Sequence, residues 1–560
     1  MKKIINQPLS AVREMLEGAV ATTPGQALLE RENVVVRHPL PERGARAVAL
    51  LSGGGSGHEP AHAGFVGAGM LTAAVAGDVF TSPSTDAVLA GIRAVSGPAG
   101  AVLIVKNYTG DRLNFGLAAE LARAEGIAVE VVVVADDVAL RDTVERSRRR
   151  GIAGTVLVHK IAGAAAAAGA DLKKVAEFAR AAAEDIGTMG VALGACTLPA
   201  AGRPNFELGA NEIELGLGIH GEPGVRKAPM ASADELVDTL LSSIIDDRGL
   251  SKGSKVAVLV NGLGSTPPME LSIVARSTLR NLERRGIVAE RCYVGTLLSA
   301  LDMPGMSLSL MRVDDERLAQ LDAATDAPAW PGAGLLNPLP VIASAADAGE
   351  DIRAAVTPGG DVARRLALAA AAALTAAETE LTELDAKAGD GDLGASMARA
   401  AEAIRALPEH AWNAPAHALT EVGNALRRAI GGSSGPFYAT ALLRASRALT
   451  GTGAAPEDLA KAFDAAVAAI SELGGARRGD RTMVDALAPA SAAFRSAIAA
   501  GLSPAKALSA AADAANAGAE ETRSMRPRLG RASYLGERAV GVPDGGAVAA
   551  AIWLRAIADA

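Results

Sequence analysis

The sequence predicts a multidomain protein, with an N-terminal α/β region of two subdomains and a C-terminal all-α domain. Three observations carry this. The chain has 560 residues, too many for one hydrophobic core. Up to about residue 330, continuous Val/Ile/Leu runs alternate with helical stretches. After about residue 355 strand signals stop, and Ala/Leu stretches with polar residues at helical spacing run to the end.

In chain order, 46–51 reads as a strand running into Ser52-Gly53-Gly54-Gly55-Ser56-Gly57-His58-Glu59-Pro60. A second strand, 101–105, ends at Lys106-Asn107-Tyr108-Thr109-Gly110-Asp111. Two more are expected at 128–134 and 155–158, and the Ala-rich stretch 161–188 reads as a helix. Such apolar runs predict a parallel sheet covered on both faces, with ligands beyond the carboxyl ends of its strands, where both loops lie. A second α/β subdomain is expected after a split near 190, with strand 255–260, a helix to about Arg285 and a strand near 288–295. It carries Leu217-Gly218-Ile219-His220-Gly221-Glu222-Pro223-Gly224. The Pro- and Gly-rich stretch 326–347 lacks periodicity and predicts a linker, set at 331–355 between domains at 1–330 and 356–560. Eight helices follow, at 361–384, 396–406, 416–429, 437–449, 456–473, 482–500, 504–519 and 546–558, the first two joined by an acidic loop.

The bulk numbers exclude several roles. Net charge is −8 with a pI of about 5.6, and no basic run is interleaved with aromatics, which argues against nucleic acid. Aromatics make up only 3%, so the cores are expected from Ala, Val, Leu and Ile. Cys196 and Cys292 lie far apart without metal spacing, which fits a reducing cytosol. Met1-Lys2-Lys3-Ile4-Ile5-Asn6-Gln7 leads into no apolar stretch, so no signal peptide is expected, and no charge-free apolar run is long enough to predict a membrane span.

The densest chemistry lies in the acidic loop, where Asp385, Asp390 and Asp392 fall within eight residues. Carboxylates this close repel one another unless a cation lies between them, and Mg2+ is commonly held by a few carboxylates plus substrate phosphates. Gly389, Gly391 and Gly394 permit close backbone approach, and a helix opening near Ser396 presents its amides where anions bind. A solvated turn capping a helix is the plainer alternative. The loops 431–436, 479–485, 529–536 and 542–547 each fit a plain helix cap, but together with the aspartates they favour one shared Mg-nucleotide site.

In the α/β region, the 53–57 loop has the glycines of a phosphate cradle but not the Lys-Ser/Thr of a P-loop; a tight turn is its bland reading. His58 and His62 follow at helical spacing and favour a binding role. Residues 216–221 match Gly-x-Gly-x-x-Gly but follow no strand and open no helix, which argues against a dinucleotide site. His220, one of seven histidines, lies in a glycine-rich loop and is a candidate nucleophile or base. Asp111 is a candidate general base, and equally a candidate cap for helix 112–125.

Four motifs, at 52–60, 106–111, 218–224 and 388–392, stand in the order found in one family: the chain resembles the single-chain, ATP-dependent dihydroxyacetone kinases over nearly its whole length. The resemblance implies a ketose-binding region followed by an eight-helix nucleotide bundle, in a cytoplasmic homodimer that uses ATP and Mg2+. It implies that His220 holds the ketose as a covalent hemiaminal, which selects ketones over polyols. Gly55, Ser56, Gly57, His58, Lys106 and Asp111 would surround the substrate hydroxyls, with Asp111 as base and His58 hydrogen-bonded to the attacking hydroxyl. Asp385, Asp390 and Asp392 would hold two Mg2+ ions. Leu393, Gly394, Ala395, Ser396, Ser433, Ser434, Gly474, Met483, Arg531, Asp544, Gly545 and Gly546 would line the nucleotide. Three other functions compete: a kinase for erythrulose or another short ketose, an FAD-AMP lyase forming a cyclic flavin phosphate, and a non-catalytic regulatory subunit. The intact aspartates and His220 argue against the last.

Overall fold

The computed structural model describes every residue except 1, 202, 203, 205, 339, 340, 343–355, 358 and 450–454, and the side chain of 531. Two compact units emerge, Met1–Ala343 and Ser344–Ala560.

The first unit holds two six-stranded sheets. One comprises β1 (Gln26–Leu28), β2 (Val34–Arg37), β3 (Ala49–Ser56), β4 (Ala73–Val79), β5 (Ala101–Lys106) and β6 (Val129–Val134), in the order β1-β2-β4-β3-β5-β6. Its β4-β3-β5-β6 part is parallel, as expected, and β1 and β2 extend it antiparallel. The other comprises β7 (Ile186–Ala192), β8 (Glu212–Leu215), β9 (Arg226–Pro229), β10 (Lys255–Gly262), β11 (Val288–Gly295) and β12 (Gly305–Arg312), in the order β11-β10-β12-β7-β8-β9. Only its β10–β11 pair is parallel. Eight helices cover these sheets: α1 (Ala11–Ala21), α2 (Thr85–Val95), α3 (Thr109–Ala124), α4 (Thr155–Ala167), α5 (Leu172–Asp185), α6 (Ala233–Arg248), α7 (Pro268–Arg284) and α8 (Asp315–Asp322).

Several expectations need correction, three of them in the first unit. The strand expected at 155–158 is the first turn of α4. All residues from Thr155 to Ala166 are buried, and a helix buried on every face shows the same unbroken apolar run as a buried strand. The helix expected over 161–188 is the end of α4 followed by α5 and the start of β7, with Gly169 at φ 84° in the break. The start of the Pro-rich stretch is not free linker: Ala327 is buried, Trp330 packs on Tyr293 with ring centroids 4.6 Å apart, and Gly334 O accepts from Cys292 N at 2.8 Å. The rest of the expected linker, 343–355, lies outside the described residues.

The second unit is all helical among its described residues: α9 (Gly360–Ala376), α10 (Glu378–Ala388), α11 (Leu393–Arg405), α12 (Pro415–Ala429), α13 (Ser434–Ala448), α14 (Pro456–Gly474), α15 (Met483–Ala499), α16 (Pro504–Glu521) and α17 (Gly545–Asp559). The expected helix 361–384 breaks at Ala377 into α9 and α10, so the acidic loop joins the second and third helices of this unit. The bundle interior leaves an apolar cavity of about 570 Å3 among residues such as Leu374, Met397, Trp412 and Trp553. No helix among the described residues is long and apolar enough to cross a membrane.

Candidate functional site

The glycines of 53–55 are not a loop. They continue β3, paired with Val75, Ala76 and Gly77 of β4. A Cβ on Gly53 would lie 2.2 Å from Val75 O, and one on Gly55 would lie 2.5 Å from Thr81 N, so close backbone approach requires glycine. A Cβ on Gly54 would lie 2.5 Å from Lys106 Nζ and 3.6 Å from Asp111 Oδ2. The bare strand therefore opens the space shared by that ammonium and that carboxylate. Lys106 ends β5, at the carboxyl edge of the parallel sheet, and Asp111 lies in the first turn of α3; both are buried. Asp111 does not cap its helix: its Oδ1 accepts from Ser82 Oγ at 2.5 Å, and Tyr108 holds the cap position. Lys106 Nζ donates to Gly53 O at 3.1 Å and lies 2.7 Å from His62 Nε2. Burial lowers its pKa, and Asp111 opposes that shift.

His220 is half-buried beneath a ring of aromatic groups. Its ring centroid lies 4.7 Å from Tyr108, 4.9 Å from His58 and 5.2 Å from Phe80. Glu222 clamps it twice, accepting from the His220 backbone N–H at 3.0 Å and lying 2.8 Å from Nδ1. A carboxylate at Nδ1 fixes the tautomer with the proton there and the lone pair on Nε2. Burial pushes the Glu222 carboxyl up, but its hydrogen bonds to His220 prevail and hold it at about 2. His58 is fully buried, its Nδ1 2.8 Å from Ser299 O, while Nε2 is without a partner. Burial, then His220 and Lys106, lower its pKa well below the usual value, so His58 stays neutral and offers Nε2 as an acceptor. Of the other expected residues, Ser56 Oγ donates to Gly77 O at 2.8 Å, and Gly57, at φ 98°, donates its N–H to Glu59.

In the second unit, oxygens of Asp385, Asp390 and Asp392 all lie within 4.8 Å of one another. Asp385 Oδ2 accepts from the backbone N–H groups of Asp392 at 3.0 Å and Leu393 at 3.3 Å, which ties the loop to the start of α11. Asp392 holds the cap position without a side-chain capping bond, so its carboxylate is not used by the helix. Three oxygen donors at this spacing fit Mg2+. They open into a cavity of about 310 Å3 that also takes in Leu393, Ser396, Ser433, Ser434, Gly474, Met483, Asp544, Gly545 and Gly546. Gly394 and Ala395 are not among its walls. A Cβ on Gly394 would lie 2.1 Å from Glu378 O and Thr382 Oγ1, so that glycine serves helix packing. Arg531 opens a short 3-10 turn, and its side chain lies outside the described residues. Burial raises the Asp544 carboxyl to about 6, while its Oδ1 caps α17 at 2.9 Å from Ala547 N.

Comparison with known proteins matches the Dak1 domain over residues 17–329 and the DAK2 domain over residues 387–559. The chain belongs to the single-chain dihydroxyacetone kinase family. It is 45% identical to the triokinase/FMN cyclase of Homo sapiens, covering 100% of this chain and 99% of that one. It is 38% identical to the D-erythrulose kinase of Mycolicibacterium smegmatis, covering 100% and 98%. The crystal structure of the dihydroxyacetone kinase from Citrobacter freundii in complex with AMP-PNP and Mg2+ matches with a TM-score of 0.63 and 38% identity, covering 100% and 99%.

The site gathers several residues that the sequence pattern does not announce. Glu222 stands in the sequence as part of the 218–224 motif without a role of its own, although its spacing of two from His220 is plain. Tyr108 and Phe80 gave no signal. Arg481, buried against the 310 Å3 cavity, holds a left-handed backbone at φ 62° and donates from Nη2 to Ala539 O at 3.1 Å and Val542 O at 2.8 Å. It thereby ties the 479–482 loop to the 539–542 loop, which a loop of polar residues does not announce.

Proposed function

We propose that this chain phosphorylates dihydroxyacetone with Mg-ATP, capturing the ketose on His220. The observation that carries it is the clamp by Glu222, which leaves the lone pair on Nε2 of a ring packed against His58, Phe80 and Tyr108. Addition of that nitrogen to the carbonyl carbon forms a C–N bond and breaks the C=O π bond, and the oxygen takes up a proton from solvent to become a hydroxyl. The imidazole gains positive charge as it does so, and Glu222 is placed to balance it. Capture converts a small, loosely held triose into a fixed nucleophile. Asp111 takes the proton of the attacking hydroxyl, and the neutral His58 offers Nε2 as an acceptor to another substrate hydroxyl. In the second unit, Asp385, Asp390 and Asp392 would hold Mg2+, which supplies neutralisation of phosphate charge when bound. Leu393, Ser396, Ser433, Ser434, Gly474, Met483, Arg531 and Asp544–Gly546 are proposed around the nucleotide. A cytoplasmic homodimer completes this reading.

The names of the relatives support two neighbouring activities: phosphorylation of a longer ketose such as erythrulose, and cyclisation of a flavin nucleotide. Mg-ATP consumption by the purified protein with dihydroxyacetone, erythrulose, glyceraldehyde and glycerol in parallel tests the proposal. Turnover of ketoses and not of glycerol is expected, and the relative kcat/KM values rank the substrates. Turnover of none of them, with a cyclic flavin phosphate formed from FAD, would replace the kinase by the lyase.

A further inference from the structure

We propose that His62, backed by His159, is a positioning residue: it takes one N–H of the Lys106 ammonium and thereby aims the remainder of that group at the substrate beside Asp111. This rests on the ketose-kinase reading of the site.

An ammonium has three N–H donors and no acceptor. At Lys106 one is directed to Gly53 O at 3.1 Å and one to His62 Nε2 at 2.7 Å. No third partner is found among the described residues. The space left by the missing Cβ of Gly54, shared with Asp111 Oδ2, is where the third points toward substrate. His62 can accept at Nε2 only with its proton on Nδ1. That proton then goes to His159 Nε2 at 3.0 Å, and His159 must carry its own proton on Nδ1, which is buried and without a partner. The order Lys106, His62, His159 therefore has one direction while Lys106 is charged. It can reverse only if Lys106 is neutral, with both histidines then protonated on Nε2. The two tautomers thus report the charge of Lys106.

The chain is sealed. His159 lies on α4, fully buried against Phe65, with ring centroids 6.4 Å apart, and His62 is almost fully buried. Burial, reinforced by Lys106, holds both histidines below their usual range, His159 at about 3, so neither becomes a cation near neutral pH. A neutral acceptor behind Lys106 fixes its direction without neutralising its charge, as a carboxylate would. The titratable groups facing Lys106 are Asp111 from α3, His58 and His62 after β3, and His159 behind His62.

The test uses the full chain and has two arms. First, histidine-selective nitrogen-15 NMR of the wild-type protein, practical with seven histidines, is expected to show His62 and His159 as neutral Nδ1–H tautomers at neutral pH, reversing together at alkaline pH. A protonated His62, or an Nε2–H tautomer at neutral pH, would overturn the proposal. Second, His62→Leu should lower kcat/KM for dihydroxyacetone by about 10- to 100-fold, the range of a hydrogen bond to a charged group, chiefly through KM. Its alkaline limb should move to lower pH by about one unit, because removing an acceptor disfavours the charged amine. His62→Gln, whose amide oxygen can accept the same N–H, should recover most of the loss. A folded His62→Leu protein whose limb does not move, or a folded His62→Gln protein as impaired as it, would mean that His62 only fills space. If the wild-type chain phosphorylates no ketose, the kinase reading fails by itself, and the tautomers alone decide the role of His62.

Discussion

In the first unit His220, His58 and Asp111 are tied to Glu222, Ser299 and Ser82, and all three lie partly or wholly out of water. In the second, Asp390 and Asp392 stand exposed on a glycine loop, and Asp385 accepts from two backbone N–H groups. On the proposed function each region prepares differently for its ligand. A ketose carries no charge and few atoms, which suits side chains that hold one another in advance. Nucleotide phosphates and Mg2+ would bring large charges of their own, which suits oxygen donors within reach and glycines that let the backbone approach. Loss of a group should therefore act differently in the two units.

Asp390→Ala should show the largest effect: kcat for Mg-ATP-dependent turnover falls by about a thousandfold, as for loss of metal-assisted charge stabilisation. The melting temperature without ligand should change little, because the side chain is exposed. A variant that keeps its turnover would remove the metal-site assignment. Glycine positions sharpen the contrast. Gly53→Ala places a Cβ 2.2 Å from Val75 O and should destabilise the first unit by about 2–3 kcal/mol. Gly431→Ala in the cavity loop meets nothing within 4 Å and should change stability by less than about 0.5 kcal/mol. Urea unfolding of both variants checks this pair. Glu222→Gln removes the charge that balances His220 and should cost about tenfold in kcat/KM, read from initial rates at several ketose concentrations.

The effect of acid is spread over several pH units. His58, His62 and His159 are held neutral by burial, so their folded pKa values lie below the usual 6.5. As pH falls through 6.5 the unfolded chain takes up protons that the folded chain refuses, and stability declines. Asp137, which burial raises to about 6, works in the opposite direction and offsets part of the decline. His159→Gln should reduce the slope of stability against pH by about 1.4 kcal/mol per unit below 6.5, down to the folded value of about 3. An unchanged slope in denaturation series at several pH values would mean that His159 is not held neutral.

Much of this was legible in the sequence where chemistry is written locally. Asp385, Asp390 and Asp392 lie within one loop, and His220 and Asp111 stand out against glycine, so both candidate sites show as short motifs, while the fold class shows in the apolar runs and their end after about residue 355. Other features are written in tertiary contacts. Val156, Leu157 and Val158 read as strand because burial on all sides erases helical periodicity. Gly53 to Gly55 read as a loop because nothing in the sequence shows that β4 approaches within a Cβ's reach. His62 and His159 stand 97 residues apart, and only α4 packing behind the sheet brings them together.

Carbon-13 NMR of dihydroxyacetone labelled at its carbonyl carbon and bound to the full chain tests the central claim most directly. A tetrahedral-carbon resonance should replace the ketone signal in the wild-type protein and in Asp390→Ala, and should be missing in His220→Ala. A bound ketone signal that persists in the wild-type protein, or an adduct that survives His220→Ala, would contradict capture at His220.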